Sequence, residues 1–203
     1  MPIPHQSAIT GLLLCGGQGS RMGGADKGLL PWDGGTLVEA AVRRLAPQVN
    51  TLLISANRNL ARYRALGHPV LPDTLPDFPG PLAGLLAGLR QCATPLLAAI
   101  PCDTPRFPAD LVSRLSAAMT AQQAAAAWAI TDEGEHPVFL VCRQELAPSL
   151  ENYLQHGGRR VREWLRQVGG LPVPFPNESA FANFNTAEAL AKAESSRTRP
   201  GED

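Results

Sequence analysis

The sequence predicts an α/β fold in which a mostly parallel sheet is covered by helices on both faces. Short apolar runs alternate with helical patterns along the chain, and this alternation is typical of parallel sheets. Hydrophobic residues make up 44% of the sequence and charged residues 18%, which is the composition of a globular protein. A length of 203 residues fits one such domain. The predicted architecture is therefore Rossmann-like, with three layers.

The first hundred residues contain the clearest alternation of strands and helices. The predicted strands are short apolar runs, at Ile9–Leu14, Thr51–Ser55, Val70-Leu71 and Pro95–Ile100. The predicted helices lie between them, from Thr36 to about Leu45, over Leu60–Leu66 and over Pro81–Arg90. Thr36 and Glu39 have the spacing of a capping box, and Pro81 suits the first position of a helix.

The second half is predicted to be less regular. A helix over Ala109–Gln123 precedes a strand over Ala124–Ile130, and a later strand at Val138–Cys142 has the option of antiparallel pairing. The remaining predicted elements are two helices, an edge strand and a last helix, at Pro148–Leu154, Val161–Val168, Leu171–Pro174 and Thr186–Ala193. We expect one domain over residues 1–194 and a disordered polar tail over residues 195–203.

Charge and composition exclude several classes of function. The 18 basic residues balance the 18 acidic ones, whereas a protein that coats nucleic acid normally has a basic excess. No apolar run approaches the roughly 20 residues of a membrane span, and residues 1–10 lack the pattern of a secretory signal. The four cysteines form no CxxC pair. We therefore expect reduced thiols in a cytoplasmic protein, with neither nucleic acid nor membrane as a partner.

The loop after the first strand is the strongest functional signal. It has five glycines between Gly16 and Gly24, and it carries Arg21 and Lys27. Glycines let a backbone approach an anion, and the two cations add positive charge, so the loop indicates a phosphate cradle rather than a plain surface turn. Lys27 is one of only two lysines in the chain.

Two common phosphate motifs do not fit this loop. No Ser or Thr follows Lys27, as a P-loop requires, and Met22 occupies the third glycine position of the dinucleotide fingerprint. The absence of an acidic residue about 20 positions further on also weakens a dinucleotide oxidoreductase. The loop instead reads L-x-x-G-G-x-G-x-R-M-G-x-x-x-K, which resembles nucleotidyltransferase loops.

The sequence resembles the molybdenum cofactor guanylyltransferase family in four motifs that occur in order. They are the glycine-rich loop, Gly80-Pro81-Leu82-Ala83-Gly84, Pro101-Cys102-Asp103-Thr104-Pro105 and Asn183-Phe184-Asn185-Thr186. The resemblance extends from about Thr10 to Leu190. It implies a nucleotidyltransferase fold and transfer of GMP from GTP to molybdenum-molybdopterin, with release of pyrophosphate. It also implies contacts with molybdoenzymes or their chaperones.

The resemblance assigns roles to particular residues. Arg21, Lys27 and Asp103 are the implied catalytic residues, and Asp103 is the implied ligand of Mg²⁺ or Mn²⁺. A helix-capping role for Asp103 is the alternative. The implied GTP-binding residues are Leu14, Cys15, Gly16, Gly17, Gly19, Lys27, Ser55, Asn57, Asp73, Gly80, Pro81, Leu82, Gly84 and Asp103.

Two features of the nucleoside site follow from this assignment. An aspartate can accept hydrogen bonds from both guanine N1–H and N2–H₂, which is the role implied for Asp73. Ser55 stands where the family can have asparagine, so that contact is either lost, bridged by water or taken over by Asn57. Cys15 replaces a small residue that is usual in such loops.

The molybdopterin side of the site is less well defined. Asn183 and Asn185 are candidates, with a loop-closing turn as the alternative. His136 and Arg159 are further candidates. A lone histidine is more often structural, and for Arg159 a solvated arginine face is an equal alternative.

Several rival functions remain open at this point. The closest enzyme rival is a molybdopterin cytidylyltransferase, against which the resemblance at Asp73, Gly80–Gly84 and Pro101–Pro105 favours guanine. A non-catalytic GTP-binding module for cofactor delivery is a rival of a different class. A sugar-1-phosphate nucleotidyltransferase fits less well because such chains usually have a longer sugar-binding half.

Overall fold

The computed structural model describes residues 8–16, 26–72 and 80–183, which form a sheet between two layers of helices. The strands are β1 Ile9–Leu14, β2 Pro31–Trp32, β3 Gly35–Thr36, β4 Thr51–Ser55, β5 Val70–Leu71, β6 Leu96–Pro101, β7 Ala126–Ile130, β8 Glu135–Arg143 and β9 Leu171–Pro174. The α-helices are α1 Leu37–Leu45, α2 Leu60–Arg64, α3 Pro81–Gln91, α4 Leu111–Gln122, α5 Ala147–Gln155 and α6 Val161–Gln167.

The large sheet has the strand order β5-β4-β1-β6-β8-β7-β9. The first four strands of that order are parallel, β8 is antiparallel to both of its neighbours, and β9 pairs in parallel with β7 at the edge. The chain leaves β1 toward β4 on one side and later returns to β6 on the other. The strand order therefore reverses between β1 and β6, and ligands of open α/β sheets bind at the carboxyl ends of strands at such a point.

Two hydrophobic cores lie on opposite faces of the sheet. One core includes Leu13 and Ile54 from the strands and packs them under α1, α2 and α4. The other includes Leu12 and Leu53 and packs them under α3, α5 and α6. Neighbouring residues of a strand point to opposite faces, so a strand covered on both sides is apolar throughout. All six residues of β1 are accordingly buried.

Helix α3 packs unusually close to the sheet because glycine faces the strands at two positions. A Cβ atom built on Gly88 would lie 2.5 Å from Leu12 Cδ2, and one built on Gly84 would lie 2.5 Å from Ser55 Oγ. Gly80 precedes the helix with a φ of +141°, which is a conformation that favours glycine. These glycines bring the N-terminal half of α3 against the ends of β1 and β4.

The capping box predicted for α1 is present. The Thr36 amide donates to Glu39 Oε2 at 2.6 Å, and the Glu39 amide donates to Thr36 Oγ1 at 3.4 Å. Such reciprocal bonds satisfy two backbone donors that a helix start leaves open. They fix where the chain enters α1 after the glycine-rich loop and the β2–β3 hairpin.

Most predicted elements are confirmed, with small shifts at their ends. Val138–Cys142 lies within an antiparallel strand, and Leu171–Pro174 is an edge strand as predicted. The β2–β3 hairpin was not predicted. The last predicted helix and the polar tail lie outside the described residues, so the proposed domain limits stay predictions. None of the helices in the described part is long and apolar enough to span a membrane.

Candidate functional site

The candidate site lies where the loops after β1, β4 and β6 meet. Backbone hydrogen bonds join these loops: the Cys15 amide donates to the Ser55 carbonyl at 2.8 Å, and the Cys102 amide donates to the Leu14 carbonyl at 3.2 Å. The three parallel strands therefore end side by side, and the residues that follow them share one edge of the sheet. This is the edge at which the sequence placed the glycine-rich loop and Asp103.

Lys27 and Asp103 meet at this edge. Lys27 Nζ lies 3.8 Å from Asp103 Oδ2, and the two side chains are 40% and 17% exposed. Lys27 lies on a short 3-10 turn, Lys27–Leu29, at the end of the glycine-rich loop, whereas Asp103 follows β6 directly. Residues 76 positions apart are thus brought together by the parallel register of β1 and β6.

Burial raises the pKa of the Asp103 carboxyl above its usual value, and the Lys27 ammonium opposes that shift only in part. The ionised form of Asp103 is therefore poorly compensated by the surrounding protein. A divalent cation would supply the missing positive charge. Among the described residues no cluster of three or more His, Cys, Asp or Glu side chains could hold a metal. One carboxylate beside space for phosphates and water suits Mg²⁺, which takes most of its ligands from such oxygens.

Thr104 links the Asp103 loop to the last predicted motif. The Thr104 hydroxyl donates to Asn183 Oδ1 at 2.8 Å, and the Thr104 residue is fully buried. Asn183, predicted from sequence as a site residue, is therefore held beside the loop that carries Asp103. Its companion Asn185 lies outside the described residues.

Cys15, Cys102 and Tyr63 lie in one hydrophobic core, and two of them border Gly28, the residue after Lys27. Burial, followed by a hydrogen bond with the Cys102 thiol, raises the pKa of Cys15 well above its usual value, so Cys15 stays a neutral thiol. A Cβ built on Gly28 would lie 3.1 Å from Cys102 Sγ and 2.6 Å from the Tyr63 hydroxyl oxygen. Glycine at position 28 therefore leaves room for the Cys102 thiol and the Tyr63 hydroxyl.

Asp26 forms a contact that sequence reasoning missed. The Tyr63 hydroxyl donates to Asp26 Oδ1 at 2.6 Å, and Asn59 Nδ2 donates to Asp26 Oδ2 at 3.0 Å. The available signal was the position of Asp26, immediately before the candidate Lys27. Its partners lie more than 30 residues away on a short helix, and no local pattern identifies them.

The residues predicted on the nucleoside side differ in exposure. Ser55 is 1% exposed, and its hydroxyl lies against α3 at Gly84, whereas Asn57 is exposed on the following loop. Pro81 begins α3, and Leu82 is buried in the core beneath it.

His136 has partners within the protein. Its Nε2 lies 3.1 Å from Thr131 Oγ1 and 3.1 Å from Glu178 Oε2. Its ring stacks on Phe181, with centroids 4.5 Å apart and an angle of 11° between the planes. These contacts join β8 to the 3-10 turn over Glu178–Phe181, a structural role that leaves the prediction for molybdopterin untested.

The arginines after α5 are also engaged internally. Arg159 Nη1 donates to the carbonyls of Leu154 and Gly158 at 3.1 and 2.7 Å, at the carbonyl end of α5. Arg160 pairs with Glu163 at 2.8 Å. A cation is favoured at a helix C-terminus, so the position of Arg159 is explained without an anion.

Several predicted site residues lie outside the described part of the chain. They are Gly17, Gly19, Arg21, Asp73 and Asn185. Their assignments stay predictions.

Comparison with known proteins adds to this geometry. A model of the MobA-like NTP transferase domain matches residues 11–170. A molybdenum cofactor guanylyltransferase of Ralstonia nicotianae is 48% identical over 193 residues, covering 91% of this chain and 95% of that protein. The fold is similar to molybdopterin-guanine dinucleotide biosynthesis protein A of Archaeoglobus fulgidus, with a TM-score of 0.75, 21% identity and coverage of 93% and 98%. It is also similar to a Mycobacterium tuberculosis protein solved in complex with manganese, with a TM-score of 0.69, 16% identity and coverage of 94% and 100%.

Proposed function

The chain belongs to the molybdenum cofactor guanylyltransferase family, and we propose that it transfers GMP from GTP to the molybdenum-molybdopterin cofactor. The products are the molybdopterin guanine dinucleotide cofactor and pyrophosphate. The observation that carries the proposal is the approach of Lys27 to Asp103 where the strand order reverses. A cation and a metal-binding carboxylate are both needed there to handle a triphosphate.

The reaction requires little acid or base chemistry from the protein. The terminal phosphate of molybdopterin attacks the α-phosphorus of GTP, and the bond to the pyrophosphate oxygen breaks. A phosphate monoester has a second pKa of about 6, so the nucleophile is largely ionised near neutral pH. Catalysis then depends on positioning and on neutralising the charge that develops on pyrophosphate. Lys27 serves the second task, and Arg21 is proposed to assist it.

Asp103 would hold Mg²⁺ or Mn²⁺, which when bound supplies positive charge to the phosphate oxygens. Its raised pKa supports this role, since a buried carboxylate that the protein leaves undercompensated gains most from a cation. Lys27 lies close enough to share the phosphates without replacing the metal.

On the nucleoside side, we propose contacts from the backbone of Leu14, Cys15 and Gly16 and from the side chain of Asn57. The exposure of Asn57 and the burial of Ser55 against α3 favour Asn57 over Ser55. Asp73 is the proposed acceptor for guanine N1–H and N2–H₂. The turn into α3 at Gly80 and Pro81 would border the same pocket.

The candidate contacts to molybdopterin are not equally supported by the structure. Asn183 is the best-supported candidate because Thr104 holds it beside Asp103. His136 and Arg159 have partners within the protein, which leaves the assignment of either to molybdopterin less supported.

We also propose a cytoplasmic location, with molybdoenzymes or their chaperones as recipients of the product. The four free cysteines, all in the described part of the chain, are consistent with a reducing compartment.

Pyrophosphate release tests the proposed reaction. The purified protein should release pyrophosphate from GTP only when molybdenum-molybdopterin is present, and GTP should be preferred over CTP in kcat/KM by about 100-fold or more. Preference for CTP would assign the chain to cytidylyl transfer instead. Absence of release with either nucleotide, despite GTP binding, would point to a binding module.

A further inference from the structure

Two side chains of α2 converge on the carboxylate that precedes Lys27. The Tyr63 hydroxyl and the Asn59 amide each donate to a different oxygen of Asp26, at 2.6 and 3.0 Å. Asn59 and Tyr63 are four residues apart, so they lie on one face of the helical turn. Both oxygens of Asp26 are thereby held by one short segment of the chain.

Asn59 bonds Asp26 instead of capping the helix that it precedes. It is the N-cap of α2, where an asparagine side chain normally accepts a bond from the helix, yet it makes no capping bond. Its φ of +50° is left-handed, a conformation that asparagine tolerates better than most residues. The side chain is directed to Asp26 instead of to its own helix.

Tyr63 contacts both neighbours of Lys27. It donates to Asp26, and its hydroxyl also lies where a Cβ of Gly28 would be only 2.6 Å away. Tyr63 is fully buried, and burial raises the pKa of its phenol, so the hydroxyl remains a neutral donor. A buried phenol needs a partner, and Asp26 is that partner.

Both sequence neighbours of Lys27 are therefore in contact with the segment that carries Asn59 and Tyr63. We propose that Tyr63 and Asn59 are positioning residues for guanylyl transfer, which hold Asp26 and Gly28 so that the Lys27 ammonium reaches the triphosphate. This inference rests on the proposed function.

The same contacts connect two parts of the nucleotide site. Asn59 follows Asn57, the expected nucleoside contact, by two residues, and Asp26 immediately precedes Lys27. The hydrogen bond between Asn59 and Asp26 therefore gives a short connection from the proposed nucleoside contact to the lysine proposed to bind the phosphates. Reactions that depend on positioning lose rate steeply when a group moves by about 1 Å. Loss of the contacts should therefore lower kcat more than it weakens binding.

Tyr63→Phe is the first test, because it removes only the hydroxyl. Tyr153→Phe is its matched control, since Tyr153 is the other tyrosine of the chain and its hydroxyl bonds Arg160 and Glu163 away from the site. We expect Tyr63→Phe to lower kcat by about 10-fold or more while the Kd for Mg·GTP stays within about 3-fold. Tyr153→Phe should change neither quantity.

Asn59→Gly is the second test and does not depend on how Tyr63→Phe folds. Glycine accepts the left-handed backbone, so only the amide is lost. Gln123→Gly is its control, because Gln123 is an exposed amide with a φ of +52° at the end of α4. Asn59→Gly should lower kcat, and Gln123→Gly should not.

An exchange of the two partners distinguishes positioning from general stability. Asn59→Asp alone sets two carboxylates against each other and removes the donor to Asp26 Oδ2. Asp26→Asn alone leaves a matched pair, because an amide both donates and accepts, and a rotated Asn59 amide can present its oxygen to the new NH₂ group. The double variant Asp26→Asn/Asn59→Asp restores one donor and one acceptor with unchanged net charge, and Tyr63 can still donate to position 26. We expect kcat to fall in Asn59→Asp and to recover in the double variant.

The outcomes separate this inference from the proposed function. If wild type turns over GTP, while Tyr63→Phe and Asn59→Gly both keep the kcat of their controls, the positioning role is overturned and the proposed function stands. An exchange variant no more active than Asn59→Asp alone would also overturn it. A wild-type protein that binds GTP but releases no pyrophosphate would overturn the proposed function and this inference with it.

Discussion

The pKa values of two carboxyl groups shift in opposite directions in the two halves of the large sheet. The parallel half consists of β5, β4, β1 and β6, and the antiparallel half consists of β8, β7 and β9. In the parallel half, burial raises the pKa of Asp103, and Lys27 compensates only in part. In the antiparallel half, hydrogen bonds from Thr131 and then from His136 lower the pKa of Glu178. The protein therefore favours the ionised form of Glu178, whereas burial outweighs the stabilisation that Lys27 gives to the ionised form of Asp103. A carboxylate with a raised pKa at the edge of a parallel sheet is a candidate for ligand binding, whereas the Glu178 carboxylate is explained by its structural contacts.

The arginines follow the same division. Arg166 pairs with Glu135 at 2.7 Å, which ties α6 to β8, and Arg159 covers the carbonyl end of α5. Lys27, in contrast, lies beside Asp103. These two arginines therefore make structural contacts in the second half of the chain, whereas Lys27 lies at the candidate site.

The largest expected effect comes from removing the poorly compensated carboxylate. Asp103→Ala should lower kcat for pyrophosphate release by about 100-fold or more, because the metal loses its protein ligand. GTP should still bind without metal, as isothermal titration would measure. An Asp103→Ala variant with wild-type turnover would contradict both the metal role and the contrast between the halves.

The second-largest loss of kcat should come from changing the shape of the cation beside Asp103. Lys27→Arg keeps the charge but replaces a compact ammonium with a broad planar group, so kcat should fall by about 10-fold or more. The fold should persist, as judged by circular dichroism and thermal unfolding. Turnover near that of wild type would mean that charge alone, not the compact ammonium, matters at position 27.

Stability should respond with opposite sign in the two halves. A raised folded pKa costs stability once pH exceeds the pKa of the unfolded carboxyl, so Asp103→Asn should raise the unfolding midpoint at neutral pH without metal. A lowered folded pKa contributes stability above the unfolded pKa and loses it as pH falls through the folded value. Glu178→Gln should therefore lower the midpoint at neutral pH.

Thermal unfolding between acidic and neutral pH measures this contrast. Both differences from wild type should shrink as the pH falls below the range in which carboxyl groups ionise. Shifts of the same sign for the two variants would remove the distinction between the halves.

The smallest expected effect on catalysis comes from a substitution in the antiparallel half. His136→Gln should leave kcat and the KM for molybdopterin within about 2-fold of wild type, because His136 is engaged by Thr131, Glu178 and Phe181. A large rise in that KM would instead assign His136 to the molybdopterin side and extend the functional region across the sheet.

The sequence predicts the sheet and the meeting of Lys27 with Asp103 for one physical reason. Parallel strands end at the same edge, so loops after buried apolar runs must lie together, whatever their separation along the chain. The motifs then indicate which loops carry charge.

Other parts of the site depend on tertiary packing and could not be predicted. Tyr63 reaches Asp26 through tertiary packing of residues 37 positions apart. A single tyrosine in a short helix does not indicate its hydrogen-bond partner. Ser55 is turned under α3 by the alternation of β4 and the close approach at Gly84. The β2–β3 hairpin has two-residue strands, which are too short to produce a periodic pattern.

A crystal structure of the complex with Mg·GTP tests the central claim most directly. The metal should lie about 2.1 Å from an Asp103 carboxylate oxygen, with Lys27 Nζ at hydrogen-bonding distance from a phosphate oxygen. Guanine should lie beyond the end of β4, on the side of Asn57. A triphosphate bound away from the edge between β1 and β6, or a metal without Asp103 in its coordination, would contradict it.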